Sequence, residues 1–343
     1  MIESPFAHLS RLVVLAALLW VTSPAQACQV CFPLPKKSIA DFLMESEAVL
    51  LAREDPERPF HYRSIQVLKG AAPDKPLDLF LDSGTRRILQ ARPRCSILLA
   101  KRGKWERLAM VDEGVRTVVD DVLRSKEEWK RDEAARFAYF AKLFGHEDPV
   151  LRNLAHLEVA RAPYSAIRRM GRDVPRAKIH AALADSRYME WWALHILLLA
   201  QSEDARDRKL IVDTVRSLAK FSQPLHLSAW ATAYIEIAGD GGIEFFETHY
   251  FRRARRLEEL REVVLALSVQ GKNGSAERRD RVAASYKVLL ARHPALASAV
   301  LDDLIAWERK DMVPFMQAFG AKHVRSLAPD ARLKLRRFVA LRE

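Results

Sequence analysis

Leu143-Phe-Gly-His-Glu-Asp-Pro-Val-Leu-Arg-Asn-Leu-Ala155 carries the end of one helix and the start of the next. Gly145 is the residue type that closes a helix, because it takes the left-handed conformation without a Cβ clash. Asp148 can accept from the first free backbone amides of a helix, and Pro149 suits the first helical position, where no amide donor is needed. Val150, Leu154 and Leu157 then recur at helical spacing.

The same grammar extends downstream. Ser125 followed by Glu128 reads as a capping box, predicting a helix from there to Phe144. Apolar stripes recur at Ile211, Val215 and Leu218; at Leu257, Leu260, Val264 and Leu267; and at Leu296, Val300, Leu304 and Trp307. Breakers fall between them at Gly171, Pro175, Pro224, Gly239–Gly242, Gly271–Gly274, Pro294 and Pro329. The pattern predicts about a dozen helices with short joints, so residues 125–343 are expected to be all-α.

Upstream, from Ser38 to Lys126, the period is shorter. Ser38 and Asp41 resemble a capping box opening a short helix. Ala48–Arg53 reads as a buried strand, and Phe60–Leu68 alternates up to Lys69-Gly70. Leu77–Leu81, Ser96–Ala100 and Trp105–Val111 are further strand candidates, with Gly103 in a hairpin between the last two. Five short strands and one helix suit a small β-barrel. The expected fold class is α+β in two domains, 28–124 and 125–343.

At the N-terminus, Leu12–Trp20 is one apolar run after Arg11, and Ala25-Gln26-Ala27 follows a proline. A basic flank, a short apolar core and a small-x-small exit form a secretory signal. Residues 1–27 are therefore expected to be removed between Ala27 and Cys28, placing the chain in a periplasmic or extracellular setting. The run is shorter than the ~20 residues a spanning helix needs, and no transmembrane segment is expected.

The formal net charge is +12. Residues 28–143 hold 22 basic against 18 acidic side chains, and residues 144–343 hold 33 against 25. The excess thus lies mainly in the helical region and favours anionic partners: lipid headgroups, polysaccharide or acidic proteins. Nucleic acid is not an expected partner of an exported chain.

Residues 143–155 resemble the turn and second-helix start of a HEAT repeat, with a looser echo at Ala182–Ser186 before Trp191–Leu199. That likeness implies an α-solenoid, in which stacking neighbours cover the apolar faces. The first region resembles the netrin-like or metalloproteinase-inhibitor-like variety of OB-fold. The likeness rests on Cys28 and Cys31, Pro33, the segment Phe42–Arg53 and the strand end Val67-Leu68-Lys69-Gly70. The opening Cys-Gln-Val-Cys departs from the family's Cys-x-Cys. The resemblance implies a closed barrel. In the inhibitors of that family the N-terminal cysteine's amine and carbonyl reach a protease metal, and Cys28 is the matching position.

The three cysteines, Cys28, Cys31 and Cys95, all lie in the first region. Export favours a disulfide, from Cys95 to Cys28 or to Cys31 ahead of the alternative Cys28–Cys31, since a long loop stabilises more than a short one. The leftover cysteine has a use if Cys28 carries a lipid anchor. Cys-x-x-Cys without a following histidine excludes c-type haem. A thioredoxin-like pair or a zinc site would need a helix N-terminus or a fourth ligand. No catalytic motif such as His-Glu-x-x-His, Gly-x-Ser-x-Gly or a phosphate loop occurs, and no cofactor is expected. His156, His195 and His226, with Trp191, Trp192 and Trp230, sit in helical stripes and read as packing residues. Arg252, Arg253, Arg255 and Arg256 form the densest basic run and are the candidate contacts for an anionic partner.

These observations predict an exported, non-enzymatic binding or scaffold protein. The alternatives are a thiol or metal protein using Cys28, Cys31 and Cys95, and a metalloprotease inhibitor acting through its N-terminus.

Overall fold

The computed structural model describes residues 37–222 and 225–340. The expected signal segment (residues 1–27), Cys28, Cys31, Pro33 and Pro224 lie outside them. Among the described residues there are sixteen α-helices and one four-stranded antiparallel sheet, so the chain is mostly helical, with its sheet on the N-terminal side. The described chain divides into two compact units. The sheet unit holds residues 37–160 and Arg169–Ser202; the helical unit holds Arg161–Arg168 and residues 203–340.

In the sheet unit, helix α1 (Ile39–Glu45) opens on the expected capping box: Asp41 N–H donates to Ser38 Oγ and Ser38 N–H to Asp41 Oδ2. Strands β1 (Ala48–Glu54), β2 (Tyr62–Lys69), β3 (Ser96–Arg102) and β4 (Lys104–Val111) follow, ordered β2-β1-β3-β4. Gly103, with φ of 78°, turns β3 into β4 where a side chain would be strained. β1 pairs with β3 in the register Leu50↔Leu99, and both strands are buried through Val49–Ala52 and Ile97–Ala100. One face forms a core of Leu50, Ala52, Tyr62, Leu77, Leu81, Leu89, Cys95, Ile97 and Leu99.

The expected barrel is corrected to an open sheet. β2 and β4 are its two edges and do not pair. The expected strand Leu77–Leu81 makes only an isolated bridge, His61↔Phe80. Its ends, Leu77 and Leu81, are buried in the core, and Asp82 then caps α2 (Ser83–Ala91), accepting from Thr85 N–H at 2.8 Å. That cap diverts the chain into a helix before another strand forms.

The helix expected to begin at Ser125 begins earlier. Asp112 accepts from Val115 N–H at 2.9 Å and opens α3 (Glu113–Arg131), which buries Val115, Val118, Val119 and Val122 and runs through Ser125. Asp132 ends it and caps α4 (Glu133–Ala141). Helix α5 (Pro149–Ala160) starts as its sequence requires, Asp148 Oδ1 accepting from Val150 N–H at 2.7 Å. Beyond α6 (Tyr164–Met170), the unit is completed by α7 (Arg176–Ala184), a 3₁₀ turn at Ser186–Trp191 and α8 (Trp192–Leu199).

The helical unit contains α9 (Ala205–Phe221), α10 (Leu227–Ala238), α11 (Asp240–Phe246), α12 (Leu257–Asn273), α13 (Ala276–Arg292), α14 (Ala297–Ala306), α15 (Val313–His323) and α16 (Pro329–Val339). Each packs chiefly on the next helix or the next but one: α9 on α10, α10 on α12, α12 on α13, α14 on α16. Segment 161–168 is tied in by polar bonds. Tyr164 Oη and Arg168 Nη2 donate to Glu236 Oε2 at 3.0 and 2.6 Å, and Arg168 Nη1 donates to the Asn273 carbonyl at 2.7 Å. Gly271 does not break its helix as its residue type predicts. It sits inside α12, where a Cβ would fall 2.3 Å from the Trp307 ring, so the glycine admits the indole.

Candidate functional site

The basic run Arg252–Arg256 lies at a joint in the helical unit. Helix α11 continues into a π-helical turn, Glu247–Phe251, which buries Tyr250 and Phe251 completely. The chain then leaves helical geometry until Arg256, whose backbone N–H donates to Glu259 Oε2 at 3.2 Å as α12 opens.

The four arginines separate into two kinds. Arg255 has a side chain only 8% exposed. Its Nε donates to the His249 carbonyl at 3.0 Å, Nη1 to Ser222 Oγ at 2.8 Å and Nη2 to the Ala219 carbonyl at 2.5 Å. Its guanidinium also covers the Tyr250 ring at 4.6 Å and lies 3.7 Å from the buried Glu259. Ala219 is in the last turn of α9, where carbonyls lack partners and cations are favoured. Arg255 therefore fastens the joint to the end of α9.

Arg256 is 58% exposed and donates to the Ser222 carbonyl at 2.7 Å, with Glu259 at 3.6 Å. Arg252 and Arg253 are exposed and make no ion pair among the described residues. Arg292, from the end of α13, donates to the Arg252 carbonyl. The α9 end contributes Lys220 and Phe221, with Lys220 Nζ 5.1 Å from the ring. The joint thus gathers the cations of its own segment with those at the ends of α9 and α13. His249 registers the field: burial first, then Arg253 and Arg255, hold its pKa below the ordinary imidazole value.

Other polar clusters are interior. In the sheet unit Arg136 donates to Asp41 Oδ1 at 2.7 Å and lies 2.8 Å from Glu158 Oε2, joining α1, α4 and α5 through buried charges. His156 and His195 are both buried, with Nε2 atoms 3.1 Å apart. His156 Nδ1 lies 2.7 Å from the Arg152 carbonyl, so it carries the proton and donates there. His156 Nε2 is then the acceptor, and His195 Nε2–H donates to it, leaving His195 Nδ1 without a partner. Burial lowers both pKa values, to about 4 for His156 and, with the neighbouring His156 added, about 3 for His195. Phe144 and Trp191 pack on these rings, as packing residues should.

In the helical unit Ser268 Oγ donates to Asp303 Oδ1 at 2.5 Å and Tyr286 Oη donates to Asp303 Oδ2. This ties α12, α13 and α14 together. Burial, opposed by these hydrogen bonds, raises the Asp303 pKa to about 6.

Cys95 is buried in the sheet core, and its expected partners Cys28 and Cys31 lie outside the described residues. No group of three or more His, Cys, Asp or Glu side chains converges as metal ligands among the described residues. No helix among them is long and apolar enough to cross a membrane. A cavity of about 580 Å³ opens beside β1 and β3, lined by Glu47, Asp74, Lys75, Asp78, Lys101 and Trp105. Its mixed charges set no preference for an anion. The arginine run is legible in the sequence, but the partition within it is not, nor is the buried pair His156–His195, whose members lie on separate helices. Compared with protein-family models, curated proteins and solved structures, the chain matches none of them.

Proposed function

We propose that the protein is an exported, non-enzymatic binding protein that holds an anionic partner on its helical unit. The observation that carries this reading is the split within one joint. Arg255 is consumed in fixing the backbone, while Arg252 and Arg253 stand exposed beside it and Arg256, though it keeps one hydrogen bond to the Ser222 carbonyl, is 58% exposed. A fixed support spares a binding arginine part of the ordering cost, and a guanidinium engages carboxylate, sulfate or phosphate with two parallel hydrogen bonds. The HEAT-like stretches 143–155 and 182–186 belong to the sheet unit, and in this reading helices α9–α16 are a repeat-like stack, which suits an extended binding surface. Packing of each helix on the next or next but one supports it.

Retention on an immobilised sulfated polysaccharide tests the proposal. The protein is expected to bind at about 0.1 M salt and to elute as screening shortens. The variant Arg252→Gln, Arg253→Gln, Arg256→Gln is expected to elute at clearly lower salt with unchanged circular dichroism. Co-elution of the two proteins would overturn the reading.

A further inference from the structure

We infer that the anionic partner is a bilayer surface bearing acidic headgroups, and that Phe221 and Leu225 enter it beside the arginine joint. The inference rests on the anion-binding reading above and names its partner. Two apolar side chains stand out at this place: Phe221, the last residue of α9, is 59% exposed and Leu225 is 53% exposed. Phe221 adjoins the backbone that the joint grips, since Arg255 donates to Ser222 Oγ and Arg256 to the Ser222 carbonyl, and Leu225 follows three residues after Ser222 in the chain. Lys220 lies over the Phe221 ring, and Arg252, Arg253 and Arg256 lie across the joint.

Charge complementarity alone would fit any polyanion. The apolar pair decides between them. An acidic polysaccharide satisfies the cations but has no apolar layer to receive a phenyl ring and an isobutyl group. A bilayer interface has both, phosphate at the headgroup level and hydrocarbon just beneath it. Aromatic and leucine side chains set among lysine and arginine are the composition that such interfaces retain. Each cation held close to acidic headgroups contributes roughly a fivefold gain in partition, so Lys220 and three exposed arginines give binding its charge dependence. Phe221 and Leu225 would give it the depth.

The test uses the purified protein and sedimentation with two kinds of vesicle, phosphatidylcholine alone and phosphatidylcholine with about one-third phosphatidylglycerol. The protein is expected to sediment with the acidic vesicles and to stay in solution with the neutral ones. Phe221→Ser with Leu225→Ser is expected to cut partition to acidic vesicles about tenfold while leaving retention on the sulfated polysaccharide unchanged. Both residues are exposed, so the fold should persist, and circular dichroism checks it. Undiminished vesicle binding by this double variant, equal binding to both vesicle types, or equal loss on vesicles and polysaccharide would each overturn the bilayer inference. None of these touches the anion-binding reading. That reading fails separately, if the triple arginine variant binds polysaccharide and acidic vesicles like the parent.

Discussion

Arg255 differs from Arg252, Arg253 and Arg256 only in where its guanidinium ends. Its donors meet two carbonyls and a hydroxyl, and its face covers Tyr250. Replacing it with Gln would leave the α9 terminus and buried Glu259 short of partners, a loss on the order of 2–4 kcal/mol in denaturant-unfolding stability. Single Gln replacements at Arg252 or Arg253 should change stability by less than about 0.5 kcal/mol. Comparable losses at all three positions would show that Arg255 is no anchor. The sequence made the run visible but not this difference, because burial depends on Ala219 and Ser222, supplied by a helix far back in the chain.

The pair His156–His195 makes a pH-dependent prediction. Both folded-state pKa values lie below the unfolded value of about 6.5, because burial penalises the imidazolium. The unfolded chain therefore takes up protons first as pH falls. The pair's contribution is complete above pH ~6.5 and is lost below it, by up to about 1.4 kcal/mol per pH unit for each proton. Asp303 works in the opposite sense. Its raised pKa keeps the proton on the folded chain, so its contribution is lost as pH rises toward about 6. Comparing the parent with the double variant His156→Leu, His195→Leu at pH 7 and pH 5 cancels the Asp303 effect. The parent should lose more stability than the variant on acidification; equal slopes would contradict the burial of both imidazoles in the neutral form.

At the scale of elements, caps and stripes were legible and close approaches were not. β1, β2, β3 and β4 lie where alternation and turn residues predict them, and α5 starts at Asp148-Pro149. The misreadings share a cause. Ser125 offers a cap, yet Asp112 offers one earlier and the valine stripe behind it carries the helix through. Leu77–Leu81 has the apolar residues of a strand, but it lies between Pro76 and the Asp82 cap and anchors only its ends in the core. Gly271 looks like a terminator when read alone, although its role is set by Trp307, the residue that follows α14. Gly271→Ala should thus destabilise the chain by roughly 1–3 kcal/mol through the clash, outweighing the ~1 kcal/mol that alanine gains in helix propensity. Tryptophan fluorescence should shift with it, since Trp307 stacks on Tyr286 at 6.2 Å. A stabilised variant with an unchanged spectrum would contradict that packing.

For the molecule as a whole, periodicity distinguished helical from sheet regions but did not fix their compact units. Helices α3, α4 and α5 belong to the unit that holds the sheet, and buried Arg136 shows why: its ionic partners are Asp41 of α1 and Glu158 of α5. Long-range charge pairing of this kind leaves no local pattern to read. Closure of the sheet was equally out of reach, because it turns on whether two edge strands meet. The uneven charge was plain from composition, and it agrees with the proposal that the helical unit holds an anionic partner through Arg252, Arg253 and Arg256. The most direct measurement is the dissociation constant for a soluble sulfated polysaccharide at about 0.1 M and about 1 M salt, where the screening length falls from ~10 Å to ~3 Å. The parent is expected to bind more tightly than the triple Gln variant at low salt, and the two are expected to converge at high salt. Affinity that ignores salt, or is the same in both proteins at low salt, would contradict that proposal.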